Sequence, residues 1–139
     1  MNRDPGCVFC KIVAGEIPSH KVYEDADCVA FLDVGPLAEG HLLVIPKSHA
    51  VTLDDMSDDE VAAVTRHLPR LGRAATGAVG VEAYNVLQNN GRPAGQAVDH
   101  VHFHIIPRRE SDGLGYRWNA SKYAEGRAAA VCEKIINAL

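Results

Sequence analysis

An α+β fold built on an antiparallel sheet is predicted by three features of the chain. Short apolar runs of strand length are grouped as hairpins, two stretches with helical periodicity lie between and after them, and one run alternates strictly between polar and apolar residues. Strand and helix do not alternate regularly, which disfavours a doubly wound parallel sheet. About five strands and two main helices are expected.

Each element has its own signal. Val22–Glu24 and Cys28–Asp33 read as two strands around the turn Asp25-Ala26-Asp27. Gly35-Pro36 and Glu39-Gly40 punctuate a loop, and His41–Pro46 is an apolar strand that stops at proline. Ser57 with Glu60 is a capping box, and behind it Val61, Val64, Leu68, Leu71 and Ala75 recur at spacings of three and four. Pro69 interrupts that stripe, so one helix with a bend is expected. Val81–Gln88 is a strand, Asn89–Gly95 a turn-rich loop and Val98–Pro107 the last strand. Ser121–Leu139 closes the chain as a helix with Ala124, Ala128, Val131, Ile135 and Leu139 on one face.

Composition narrows the function classes. The chain has 139 residues, 47% of them apolar and 23% charged, enough for one domain with its own core. The net charge of −4 argues against a nucleic-acid partner, because such binders show a basic footprint. No apolar run approaches the roughly 18 residues of a membrane span, and Met1–Pro5 is short and polar, so a cytoplasmic setting without membrane attachment is expected. Neither GxGxxG nor a Walker-type loop occurs, and no organic cofactor is expected. Of the four cysteines, Cys28 and Cys132 read as small hydrophobes.

The most informative run is His100-Val101-His102-Phe103-His104-Ile105-Ile106. On a strand, alternate side chains point to opposite faces, so His100, His102 and His104 form an exposed row while Val101, Phe103 and Ile105 anchor the core. Three readings stay open at this point: a merely polar sheet face, a metal site, or covalent catalysis by one neutral imidazole oriented by its neighbours. The preceding Asn89-Asn90-Gly91-Arg92-Pro93-Ala94-Gly95-Gln96 offers backbone N–H groups and side-chain amides suited to a phosphate.

These residues resemble the histidine-triad (HIT) family, whose signature is His-φ-His-φ-His-φ-φ with φ apolar. The loop from Asn89 or Asn90 to Gln96 is similar to that family's phosphate loop, as are Ala30-Phe31-Leu32-Asp33 and Gly40–His49 to its other motifs. Phe9–Pro18 resembles the N-terminal segment of bacterial members, and the likeness runs from about Cys7 to Arg108. The resemblance implies a single domain over 1–139, with its core at about 7–108 and a helical C-terminal segment at 119–139. It also implies a homodimer with one continuous two-subunit sheet, and the apolar stripe around Val61–Leu71 offers surplus hydrophobic surface for it.

In chemistry, the resemblance implies a nucleotide hydrolase or transferase acting on purine nucleoside monophosphate conjugates such as adenosine phosphoramidate. His102 would attack the α-phosphate to give a nucleotidyl-histidine that water then opens. His104 and His41 would support it, while Asn89, Gly95 and Gln96 would hold the phosphate or leaving group. Asp33 would take the ribose hydroxyls, and Phe9, Ile12, Phe31 and Val34 would form a slot for the base. Ala97 stands where many relatives carry Ser or Thr, which removes one polar substrate contact. Two alternatives remain: a dinucleoside polyphosphate hydrolase, suggested by Ile106-Pro107-Arg108-Arg109, and a non-catalytic nucleotide binder.

Cys7-Val8-Phe9-Cys10 is by itself half of a zinc site. The same resemblance pairs these cysteines with His49 and His100, implying a structural Cys₂His₂ zinc that leaves His102 free. Gly113–Asn119 (GLGYRWN) is placed by its position to reach over the site.

Overall fold

In the computed structural model, which describes residues 1–115 and 120–139, five strands form one antiparallel sheet in the order β1-β2-β3-β5-β4. The strands are β1 (Lys21–Glu24), β2 (Cys28–Leu32), β3 (Leu42–Pro46), β4 (Ala83–Gln88) and β5 (Phe103–Arg108). Among the described residues, four α-helices accompany them: α1 (Val8–Val13), α2 (Asp58–Thr65), α3 (Leu68–Val79) and α4 (Arg127–Ala138).

The alternation of β2 and β3 sorts the core into two layers. Cys28, Ala30, Leu42 and Val44 face α2 and α3, where they meet Val64, Leu71 and Ala75 together with Val101, Phe103 and Ile105. Val29, Phe31, Leu43 and Ile45 face the other way and pack under α1 against Phe9 and Ile12. A slip of one residue would exchange the two sets, so the apolar pattern fixes the register. β5 threads between β3 and β4, with His104 opposite Leu43 on one side and Leu87 on the other.

Several boundaries differ from the sequence reading. The expected bent helix is two helices, divided at Arg66–His67, because Pro69 falls in the first turn of α3 where its missing N–H costs nothing. The capping box at Ser57 and Glu60 is formed as read. The apolar stripe is no surplus: Val64, Leu71 and Ala75 are in the core. α1 was missed altogether. It is a single short helix capped by Cys7, with Phe9, Cys10 and Ile12 buried beneath it.

The last strand is shorter than expected at its start, 103–108 rather than from Val98. The Val98 carbonyl accepts from the His100 amide in a local turn and the Val101 amide donates to the distant Ala50 carbonyl, so those groups are used outside the ladder. The C-terminal helix starts at Arg127 rather than Ser121, after Gly126 at φ +73°, and none of its residues is buried. Of the GLGYRWN segment, residues 116–119 lie outside the described residues. No helix among the described residues is long and apolar enough to cross a membrane.

Candidate active site

Four histidines and one carboxylate meet at the β3–β5 seam. His102 is held from below by the segment that leads into β5: its Nδ1 donates to the main-chain oxygen of His100 at 2.7 Å. A carbonyl can only accept, so the hydrogen of the neutral ring is on Nδ1 and the lone pair is on Nε2. No described residue bonds to that Nε2. The His104 ring stands beside it at 4.9 Å between centroids, and Phe9 of α1 closes against it edge-on at 5.2 Å.

The histidines do share one face, but they are not an exposed row. His100 is fully buried and His102 is 6% exposed. The cause is α1, absent from the sequence reading, which lays Phe9 over both rings. What reaches the surface is an edge of a packed imidazole. Packing of this kind removes rotamer freedom and leaves the ring oriented before any ligand arrives.

His41, 2% exposed, immediately precedes β3, the strand that pairs with β5. Its Nε2 lies 2.9 Å from His104 Nδ1 and 3.6 Å from Asp33 Oδ2, while its Nδ1 accepts the Leu37 amide at 3.0 Å. Burial is the main reason both rings are held neutral: His41 is pulled below the usual imidazole range, and His104 is drawn down to about 4, with neighbouring His102 and His41 adding to the effect. Asp33 Oδ1 accepts the Gly35 amide at 2.8 Å, which closes the turn after β2.

The loop before the triad is folded by its own side chains. Gly91 and Gly95 take positive φ (+89° and +97°), a conformation costly to residues with a Cβ. Gln96 is 3% exposed, with Nε2 donating to the carbonyls of Val51 (2.6 Å) and Val98 (3.0 Å) and Oε1 accepting from the Gly91 amide at 2.7 Å. Both of its N–H groups are therefore used on main chain. In this arrangement Gln96 shapes the loop, with the side-chain hydrogens expected for a phosphate directed at main chain. Asn89 reaches the Gly95 carbonyl at 3.4 Å, and Ala97 is exposed.

Of the expected base slot, Phe9, Ile12 and Phe31 come together, but as a packed cluster in which each is at most 7% exposed. Val34 lies outside that cluster and is 89% exposed. The arginines that suggested a polyphosphate substrate are tied down. Arg108 donates to Asp112, Asn85 and the Leu114 carbonyl, and Arg109 to the carbonyl of Val79.

A second cluster sits behind the triad. One ligand atom each from Cys7, Cys10, His49 and His100 all lie within 4.8 Å of one another. Sγ of Cys7 is 3.4 Å from His100 Nδ1, Sγ of Cys10 is 3.4 Å from His49 Nδ1, and the two Nδ1 atoms are 3.1 Å apart. A tetrahedron with bonds of about 2.0 Å to nitrogen and about 2.3 Å to sulfur has edges of about 3.3–3.8 Å, close to these separations. The donor set passes a further test. His100 Nε2 donates to the Pro46 carbonyl at 2.8 Å, which turns the Nδ1 lone pair into the cluster.

The chain matches the family model for the HIT domain over residues 14–111. It belongs to the HIT family. Among relatives, it is 50% identical over 130 residues to adenosine 5'-monophosphoramidase hnt1 of Schizosaccharomyces pombe, covering 93% of this chain and 95% of that one. A solved structure of a HIT family member from Bacillus subtilis superposes with a TM-score of 0.91 at 39% identity, covering 96% of this chain and 97% of that one. A zinc-bound HIT family protein from Mycobacterium smegmatis matches with a TM-score of 0.75 at 37% identity, over 96% of this chain and 98% of that one.

Within this HIT domain, the groups that sequence reasoning overlooked are main-chain ones: the Leu37 amide and the carbonyls of His100 and Pro46. No residue type announces them. The helix α1 had a signal that went unread, Cys7/Cys10 and Phe9/Ile12 each at a spacing of three with Gly15 after the last turn.

Proposed function

We propose that this protein is a nucleotide hydrolase or transferase that cleaves nucleoside monophosphate conjugates through a covalent intermediate on His102. The observation that carries the reading is the bond from His102 Nδ1 to the His100 carbonyl, which presents Nε2 as a lone pair beside the neutral His104. The phosphoramidase named among its relatives supports adenosine phosphoramidate-like conjugates as the substrate class.

In the first step the Nε2 lone pair of His102 forms a bond to the α-phosphorus while the P–N bond to the leaving amine breaks; the amine nitrogen keeps that electron pair, takes a proton from solvent and departs as the neutral amine. In the second, a water oxygen bonds to phosphorus, the P–Nε2 bond breaks back onto the ring, and the water's proton is released with the nucleoside monophosphate. Both steps need orientation and donors for the phosphoryl oxygens more than strong acids or bases. His104 supplies one donor, and the second side-chain N–H of Asn89, whose other N–H reaches the Gly95 carbonyl, supplies another. Asp33, with Oδ2 carrying the remaining acceptor capacity, takes the ribose hydroxyls, and the edges of Ile12 and Phe31 meet the base.

The test is rapid quenching of a reaction with adenosine phosphoramidate followed by mass spectrometry, beside His102→Asn. An adenylyl group on His102 and loss of turnover with nucleotide binding retained are expected. Unchanged turnover in the variant refutes the assignment. Faster cleavage of diadenosine polyphosphates than of the phosphoramidate would favour the polyphosphate branch, and binding without turnover a non-catalytic role.

Zinc held by Cys7, Cys10, His49 and His100 is part of the same reading. When bound in such a closed set, it supplies a structural cross-link and no open position for substrate. Those residues would tie α1 to the triad strand. The reading also includes a homodimer. β4 is an edge strand with Tyr84 39% and Val86 47% exposed, and pairing two such edges across a two-fold axis makes one continuous sheet. Free cysteines at 7, 10, 28 and 132 suit a reducing, cytoplasmic compartment. We take residues 1–139 as one domain.

A further inference from the structure

The contact between His41 Nε2 and His104 Nδ1, at 2.9 Å, has two possible polarities, since either nitrogen can hold the shared hydrogen. A third group decides between them. The main-chain N–H of Leu37 lies 3.0 Å from His41 Nδ1. An amide nitrogen only donates, so His41 Nδ1 must offer its lone pair. In the neutral ring the hydrogen is then on Nε2, which donates to His104 Nδ1. His104 in turn must carry its own hydrogen on Nε2, where no described residue accepts it.

We infer that the main-chain amide of Leu37 is a positioning group that, acting through His41, fixes His104 as an Nε2–H donor beside the Nε2 lone pair of His102. Two adjacent rings thereby present opposite polarity to a ligand, one a lone pair and the other a donor. Both polarities are written by main chain: the Leu37 amide for one ring and the His100 carbonyl for the other. The use of this arrangement rests on the nucleotidyl-transfer reading. As His102 Nε2 closes on phosphorus, the phosphoryl oxygens gain charge and need donors already in place. With the polarity reversed, His104 would set a lone pair against them.

The surroundings keep the Leu37 amide aimed. Asp33 donates its amide to the His41 carbonyl at 2.9 Å, and the His41 amide donates to Ala38 at 3.1 Å, so the segment from 33 to 41 is closed at its base. Asp33 Oδ2, at 3.6 Å, is the other acceptor near His41 Nε2, and it is outdistanced by His104. Burial keeps His41 and His104 neutral, which is the state to which the donor argument applies. The Leu37 side chain itself is 56% exposed, so the contribution of the residue lies in its backbone.

The test is nitrogen-15 NMR on the full-length, uniformly nitrogen-15-labelled protein at neutral pH. Expected are Nε2–H tautomers for both His41 and His104. Nitrogen–nitrogen couplings across hydrogen bonds should join the Leu37 amide to His41 Nδ1, and His41 Nε2 to His104 Nδ1. Leu37→Ala, which keeps the amide, should retain both couplings and both tautomers. Leu37→Pro, which removes it, should lose the first coupling, mix the His104 tautomers and lower kcat about 100-fold with little change in KM. An Nδ1–H tautomer in either ring of the wild type, or a folded Leu37→Pro with wild-type tautomers and kcat, overturns the inference. Should Leu37→Pro not fold, the wild-type couplings decide alone. Expected tautomers without turnover of any nucleotide conjugate would remove the functional reading and leave the positioning intact; turnover with the wrong tautomers would do the reverse.

Discussion

Replacing Phe9 by alanine tests whether α1 is the wall that seats His102, the proposed nucleophile. Phe9 is 6% exposed and makes edge contacts with Phe31, His100 and His102 at centroid distances of 5.8, 5.8 and 5.2 Å. Truncating a buried Phe costs about 3–5 kcal/mol, the transfer of the ring plus the cavity left behind. Its helix is one short element that can collapse toward the sheet, which places the value near the lower end, about 3 kcal/mol. For a chain of this size that is a fall in Tm of about 10 °C. Urea denaturation followed by fluorescence and circular dichroism would read it, with the slope against denaturant unchanged. In the folded variant kcat should fall further than the population of folded protein explains, because His102 loses the ring that holds its plane. A loss below about 1 kcal/mol would refute the packing argument. Full kcat in a destabilised variant would refute the link from α1 to the nucleophile.

Three further outcomes follow from the geometry. His104 titrates at about 4 in the fold against about 6.5 unfolded, so its neutral, buried state favours folding fully above pH 6.5 and progressively less as pH falls toward 4; acid melts should show that loss, and His104→Asn should flatten it. Wild-type protein prepared without chelator should carry about one zinc per chain by elemental analysis, and Cys10→Ser should lose it with a lower Tm; a fully folded protein that stays metal-free after zinc supplementation counts against the site. Val86→Lys on the exposed edge of β4 should give a monomer by light scattering at micromolar concentration, where the wild type is expected as a dimer.

How much of this was legible in the sequence depended on whether a side chain or the backbone carried the information. The strands and their facing were readable because Val101, Phe103 and Ile105 alternate with His100, His102 and His104, and the structure keeps that division. The gathering of Cys7, Cys10, His49 and His100 was readable through family likeness, though 93 residues separate Cys7 from His100. The burial of the triad was not, since it depends on α1, six residues whose helical state comes from tertiary packing rather than propensity. The hydrogen bonds of Gln96 were not readable for a related reason. An amide in a glycine-bearing loop suits an anion and a backbone carbonyl equally well, and only the fold shows that Val51 and Val98 take both of its hydrogens. β5 was drawn too long because alternation persists through residues 100–102 even where the ladder does not.

One consequence concerns His100, which faces two ways. Its imidazole belongs to the sulfur–nitrogen cluster, while its carbonyl oxygen grips His102. Every amino acid brings a carbonyl, so no point substitution at position 100 can erase that grip by chemistry, only by displacing the chain. The proposed metal ligation and the proposed anchoring of His102 are thus separable at a single residue. A lineage or a designer could trade the first away and inherit the second unchanged, provided whatever replaces the imidazole still fills the space above Pro46.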